Sequence, residues 1–212
     1  MFDKQKIAKW QRWQKDIEND IIYLLASRKI YKSYGEIVNG NTNVQNNGVL
    51  FHNWIKVNYV TFVAMSIRRQ LDTDNDVVSL ERLLSDIKLN PESLSRKWHA
   101  SLYDGFIVNN YADQMFNKNA GSGDYIDPVI IEKDLSELKS AGENIKKLAD
   151  RSIAHKTTKA KPELTFDDAD KCIETIKKIA IKYRLLLTAQ GGELEPIIDD
   201  WQNVFTQKWI ER

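Results

Sequence analysis

Residues 127–156 read DPVIIEKDLSELKSAGENIKKLADRSIAHK. Asp127-Pro128 makes a helix start, because a first turn has no use for the N–H that proline lacks. Ile131, Leu135, Leu138, Gly142, Ile145 and Ala149 then recur at helical spacing, with Ala141, Leu148 and His155 on the neighbouring stripe. The spacing predicts one long helix from Asp127 to about His155, apolar along one side. A chain with such a stripe must supply other helices to cover it.

Three further long helices are predicted. The first runs from about Asp3 to Ser27, with Ile7, Trp10, Ile17, Ile21 and Leu24 on one stripe, widened by Trp13. The second runs from about Val49 to Leu71. Its apolar residues, Leu50, Phe51, Trp54, Val57, Phe62 and Ile67 among them, surround nearly the whole circumference. Such a pattern predicts a central helix buried on most sides. The third opens at Thr165, which forms a capping box with Asp168 in place of the usual Glu, and reaches about Leu187. Between the first two, Asn39 to Gly48 is rich in asparagine and glycine and reads as a loop.

Shorter helices are expected from Ser79 to Ile87, from Pro91 to Tyr103 and near Tyr111 to Phe116. After Gly191-Gly192, a C-terminal helical extension is expected over 195–212, packed back through Ile197, Ile198, Trp201 and Phe205. No alternation is long enough to build a sheet. The fold class is therefore all-α: a bundle of about four long helices with additional short ones, in a single domain over 1–212.

Of the 212 residues, 42% are hydrophobic, among them six Trp, which fills a core and opposes disorder. Charged residues nearly cancel, leaving +1, so the chain is no general nucleic-acid coat, although a local basic pocket remains compatible with neutrality. The start is charged and lacks an apolar leader core, and no run approaches the roughly 20 residues of a membrane span. Cys172 stands on the apolar stripe of its helix and is expected to be a buried small hydrophobe. These features predict a reduced, cytoplasmic protein.

Chemistry is sparse. The three histidines, His52, His99 and His155, form no zinc spacing, and the chain has no phosphate loop. Asp72, Asp74 and Asp76 alternate as in a calcium loop, but Val77 and Leu83 stand where that loop needs Gly and Glu. No metal or cofactor is implied. His52 is expected to be a satisfied core histidine, and His99 to lie on the surface. Arg68-Arg69 reads as a cationic helix terminus, with Asp72 placed to fix one of them.

Arg151 and His155 are the exception. Four positions apart on one helix, their side-chain roots lie about 5–6 Å apart. Metal-independent RNA cleavage needs an acid or base near neutral pKa, which histidine provides. It also needs a fixed cation for charge building on phosphoryl oxygens, which arginine provides. Asp150 is placed to orient one of them, and Lys156, beside Lys159 and Lys161, to meet an RNA backbone.

Ile153-Ala154-His155-Lys156, then Leu164 to Asp170, then Tyr183-Arg184-Leu185-Leu186 resemble the abortive-infection AbiU-type branch of the HEPN superfamily. Leu71-Asp72, Val78 to Leu84 and Asp200 to Phe205 share the resemblance. It implies a helical, dimeric, metal-independent endoribonuclease of a prokaryotic antiphage or toxin–antitoxin system. His155 would be its acid or base and Arg151 its phosphate-binding cation, with an RNA substrate and a cognate antitoxin as partners. The family's arginine precedes an Asn, Asp or His, and here that place holds Ala149 before Asp150. Arg151 is a shifted cation, with three residues between it and His155. The alternative is therefore a catalytically inert HEPN-like dimerisation or protein-interaction module. A third reading is a small-ligand-binding bundle with a pocket lined by Trp and Tyr.

Overall fold

The computed structural model describes residues 3–103, 109–154 and 164–207. The four long helices are α1 (Lys4–Asn39), α3 (Val49–Gln70), α7 (Pro128–Leu148) and α8 (Phe166–Thr188). The shorter ones are α2 (Thr42–Asn46), α4 (Leu80–Leu89), α5 (Arg96–Ala100) and α6 (Asn109–Ala120), with 3-10 turns at Pro91–Ser93 and Trp201–Thr206. No strand occurs among the described residues. An isolated bridge joins Ser95 to Tyr125. The all-α bundle expected from the sequence is what forms.

Local chemistry sets the helix starts. The Asp3, Ser79 and Asp127 side chains accept from backbone N–H groups of the first turns of α1, α4 and α7. Thr165 and Asp168 complete a reciprocal capping box on α8. Such caps each contribute about 1 kcal/mol.

The core lies where α8 packs between α1 and α7, and α3 closes against α1 and α7. The predicted stripe of α1 is buried, and Gln14 sits within it, donating to the carbonyl of Ala180 on α8 at 2.9 Å. From α8, Cys172, Ile173, Ile176, Ala180, Tyr183 and Leu187 are fully buried. Burial pushes the Cys172 thiol up to about 12, which keeps it protonated and inert. Asp134 of α7 is held under the bundle surface by the Tyr183 hydroxyl at 2.9 Å and Lys182 Nζ at 2.6 Å.

The structure corrects several expectations. α1 does not stop near Ser27 but continues to Asn39, and the Asn-rich stretch contains the turn of helix α2, capped by Asn41. The added length of α1 lies along the first half of α3, where Tyr31 stacks on Tyr59 with centroids 3.9 Å apart. α3 is not buried on most sides. Only Val63, Ala64, Ile67 and Gln70 are buried, whereas Leu50, Trp54 and Val57 are 84%, 61% and 62% exposed. The physical reason is reach: α7 and α8 cover the second half of α3, and the first half projects past them with α1 as its neighbour.

α7 ends at Leu148, and residues Ala149–Ala154 continue as a π-helix. The predicted C-terminal helix is also absent among the described residues from Gly191 to Asp200. Pro196 disfavours helix at the residue before it and removes a backbone donor. A 3-10 segment over Trp201–Thr206 follows, and Ile197 is 98% exposed. His99, expected on the surface, is fully buried.

Gly142 marks a close approach of α7 to the end of α3. A Cβ built there would lie 2.3 Å from Cδ1 of Leu71, itself buried at the end of α3. In Gly142→Ala, better helix propensity contributes about 1 kcal/mol, and overpacking costs about 1–3 kcal/mol. A net loss of about 1 kcal/mol is expected in urea denaturation, and a stabilised variant would show that the two helices do not meet there.

Candidate functional site

The site grows from the C-terminal end of α7. Ala149, the first residue of the π-helix, is fully buried and belongs to the core cluster. Asp150 turns outward, and its Oδ1 accepts from Nε of Arg68 on α3 at 2.6 Å. The same guanidinium reaches Asp72 Oδ2 at 3.3 Å. The hydrogen bond to Asp150 raises the Arg68 pKa against the opposing effect of burial, so the cation is permanent. Next to it, Lys146 Nζ donates to the carbonyl of Leu71 at 2.8 Å, satisfying a helix-end acceptor of α3. Three contacts thus bind the last turn of α3 to the end of α7: Gly142 on Leu71, Lys146 on Leu71 and Asp150 on Arg68.

Arg151 follows, half-buried, and its side chain makes no ion pair or hydrogen bond among the described residues. His155 and Lys156 lie outside the described residues, so the structure speaks to Asp150 and Arg151 alone among the four residues singled out from the sequence. Asp150 is engaged by Arg68 rather than by Arg151. Asp72 does fix an arginine, Arg68, as its spacing suggested. The pairing of Arg68 with Asp150 spans 82 positions and carries no local sequence signal. A π-helical turn is itself uncommon and is often found where a chain does chemistry.

The other two histidines are engaged elsewhere. His99 Nδ1 donates to the carbonyl of Leu186 at 3.2 Å, and its Nε2 is 3.3 Å from the Tyr103 hydroxyl. Burial lowers its pKa, so the ring is neutral and structural. His52 is half-buried rather than a core residue. Its Nε2 meets the carbonyls of Val44 and Asn47, both at 2.9 Å, and its Nδ1 bonds the Tyr34 hydroxyl. It pins α2 to the start of α3. No group of three or more acidic, His or Cys side chains able to hold a metal occurs among the described residues.

The described residues form a helical bundle with Arg151 on a π-helical turn. The sequence profile of HEPN AbiU2 matches residues 7–204, nearly the whole chain. The chain belongs to the AbiU2 family of HEPN proteins. No curated protein and no solved structure matches it. Within this HEPN chain, no helix among the described residues is long and apolar enough to cross a membrane.

The resemblance noted in the sequence puts the family's arginine place at Ala149, and the structure shows that Ala149 is fully buried. In Ala149→Arg, a guanidinium would enter a fully enclosed position, which costs at least about 2 kcal/mol. A lowered urea midpoint is expected, with no gain of nuclease activity. A variant as stable as wild type would instead place residue 149 at an accessible surface.

Proposed function

We propose that this HEPN chain is a metal-independent endoribonuclease of a prokaryotic antiphage or toxin–antitoxin system, with Arg151 and His155 as its catalytic pair. The observation that carries this reading is Arg151 itself. It stands on a π-helical turn, half-buried, with no carboxylate neutralising it among the described residues. A cation without a counterion is what a phosphodiester requires. The nearby acid, Asp150, is already engaged by Arg68, which leaves the charge of Arg151 uncompensated among the described residues.

In this mechanism His155 removes the proton of a ribose 2′-hydroxyl. The 2′-oxygen attacks the adjacent phosphorus, and the bond to the 5′-oxygen breaks. A cyclic phosphate forms, and the departing 5′-oxygen takes up a proton. Arg151 binds the phosphoryl oxygens as their charge grows, and Lys156 meets the neighbouring backbone. The uncovered apolar face of α3, with Leu50, Trp54 and Val57, supports a homodimer, because a patch of this kind on a soluble chain is an association surface. A cognate antitoxin is the expected regulator, and a cytoplasmic location follows from an RNA substrate.

A specific observation favours a second reading. The family's arginine place holds the enclosed Ala149, which suits a catalytically inert HEPN module that only dimerises or binds a protein partner. Cleavage of labelled RNA in the presence of a chelator separates the two. The nuclease reading expects cleavage that falls by about 10²–10⁴ in His155→Ala and by about 10²–10³ in Arg151→Ala. Cleavage that vanishes with the chelator, or that both variants retain, would remove this mechanism. No cleavage by a folded wild type would leave the inert module.

A further inference from the structure

Beside the π-helical turn, α3, α7 and the start of α8 enclose a cleft of about 330 Å³. Its walls are Val63 and Ala64 from α3, Ile145 and Leu148 from α7, Leu164 before α8, and Ala169 from α8. Tyr59 and Phe166 flank it as rings about 6.1 Å apart. The volume is roughly twice that of a dry cavity of about 150 Å³ that holds benzene. It falls at the lower end of the range of small-ligand sites, about 300–1,000 Å³.

Among the described residues, one charged side chain stands at this cleft. Lys56 lines it, and lines two neighbouring concavities as well, one of about 390 Å³ and one of about 260 Å³. The ammonium has no carboxylate or hydrogen-bond partner among the described residues. The acid nearest in the adjoining concavity, Asp170, is occupied by Lys32 at 2.5 Å and by Arg28 at 3.8 Å. The Thr165 hydroxyl, the other polar side chain besides Tyr59 at the cleft, is engaged by Asp168.

The geometry points to a binding site for a small amphiphile: an apolar body seated against Val63, Ala64, Ile145 and Leu148, with one anionic group at Lys56. A nucleobase fits less well, because walls this aliphatic offer its polar edge almost no partners, and unpaired polar groups are costly to bury. A cationic ligand would meet Lys56 as a like charge. The site is independent of cleavage chemistry, and it touches the end of the helix that carries Arg151. A bound ligand would therefore bear on Leu148, directly before the π-helical turn.

Calorimetric titration of the full chain with octanoate, octanol and octylamine tests this. Octanoate is expected to bind most tightly, octanol more weakly and octylamine not at all. Lys56→Gln, at an exposed position, is expected to weaken octanoate about fivefold to tenfold and leave octanol unchanged, as an exposed to half-desolvated ion pair predicts. Ala64→Leu, or Ala169→Leu should the first fail to fold, fills the cleft and is expected to abolish binding of both. No octanoate binding by the wild type would overturn the site. So would equal affinity for all three probes, or binding that survives the filled cleft. RNA cleavage is not read in any arm, so the outcome stands apart from the nuclease reading.

Discussion

Gly142 allows the side of α7 to close on Leu71, and the candidate site depends on that approach. With the two helices this near, Lys146 reaches the end carbonyl of α3 and Asp150 reaches Arg68. A side chain at 142 would have to displace the Leu71 side chain. The crossing therefore fixes where α7 ends and how the π-helical turn leaves it. The residue that turn presents, Arg151, inherits its position from a packing constraint two helical turns upstream.

The same crossing explains how burial is distributed along α3. Its second half is clamped by α7 and buries Val63, Ala64 and Ile67. Its first half runs beyond the clamp and keeps Trp54 and Val57 in solvent, steadied by the ring stack of Tyr31 on Tyr59 and by the grip of His52 on α2. The cleft at Lys56 opens at the boundary between these halves, where α3 begins to part from α7 and α8. Clamped end, open cleft and uncovered face are thus three consequences of one helix that is longer than the core it serves.

Much of this fold was legible in the sequence. The stripes of α1, α7 and α8, the caps at Ser79 and Thr165 and the helix start at Asp127-Pro128 are local signals, and each forms as read. The failures have nonlocal causes. Periodicity reports which residues are apolar and not whether a partner covers them, so the first half of α3 read as core. Residues 28–39 carry a weak stripe and a glycine, and their contacts are nonlocal: Tyr31 on Tyr59 of α3, and Arg28 and Lys32 on Asp170 of α8. His99 read as surface because its acceptor, the carbonyl of Leu186, lies 87 positions away. Pro196 was visible, and its cost to a C-terminal helix outweighed the apolar spacing beyond it.

Of the four residues singled out from the sequence, the structure describes Asp150 and Arg151. Arg151 and Asp150 fall on one unusual turn, but the engagement of Asp150 by Arg68 could only appear once α3 and α7 were set side by side. The most direct test of this account is amide hydrogen exchange across residues 149–154 in Arg68→Met, Asp150→Asn and the double variant. If the α3–α7 clamp holds the turn, each single variant speeds exchange there, and the double variant is no faster than the faster single. Exchange unchanged in both singles, or effects that simply add in the double, would contradict the claim that this pair fixes the turn.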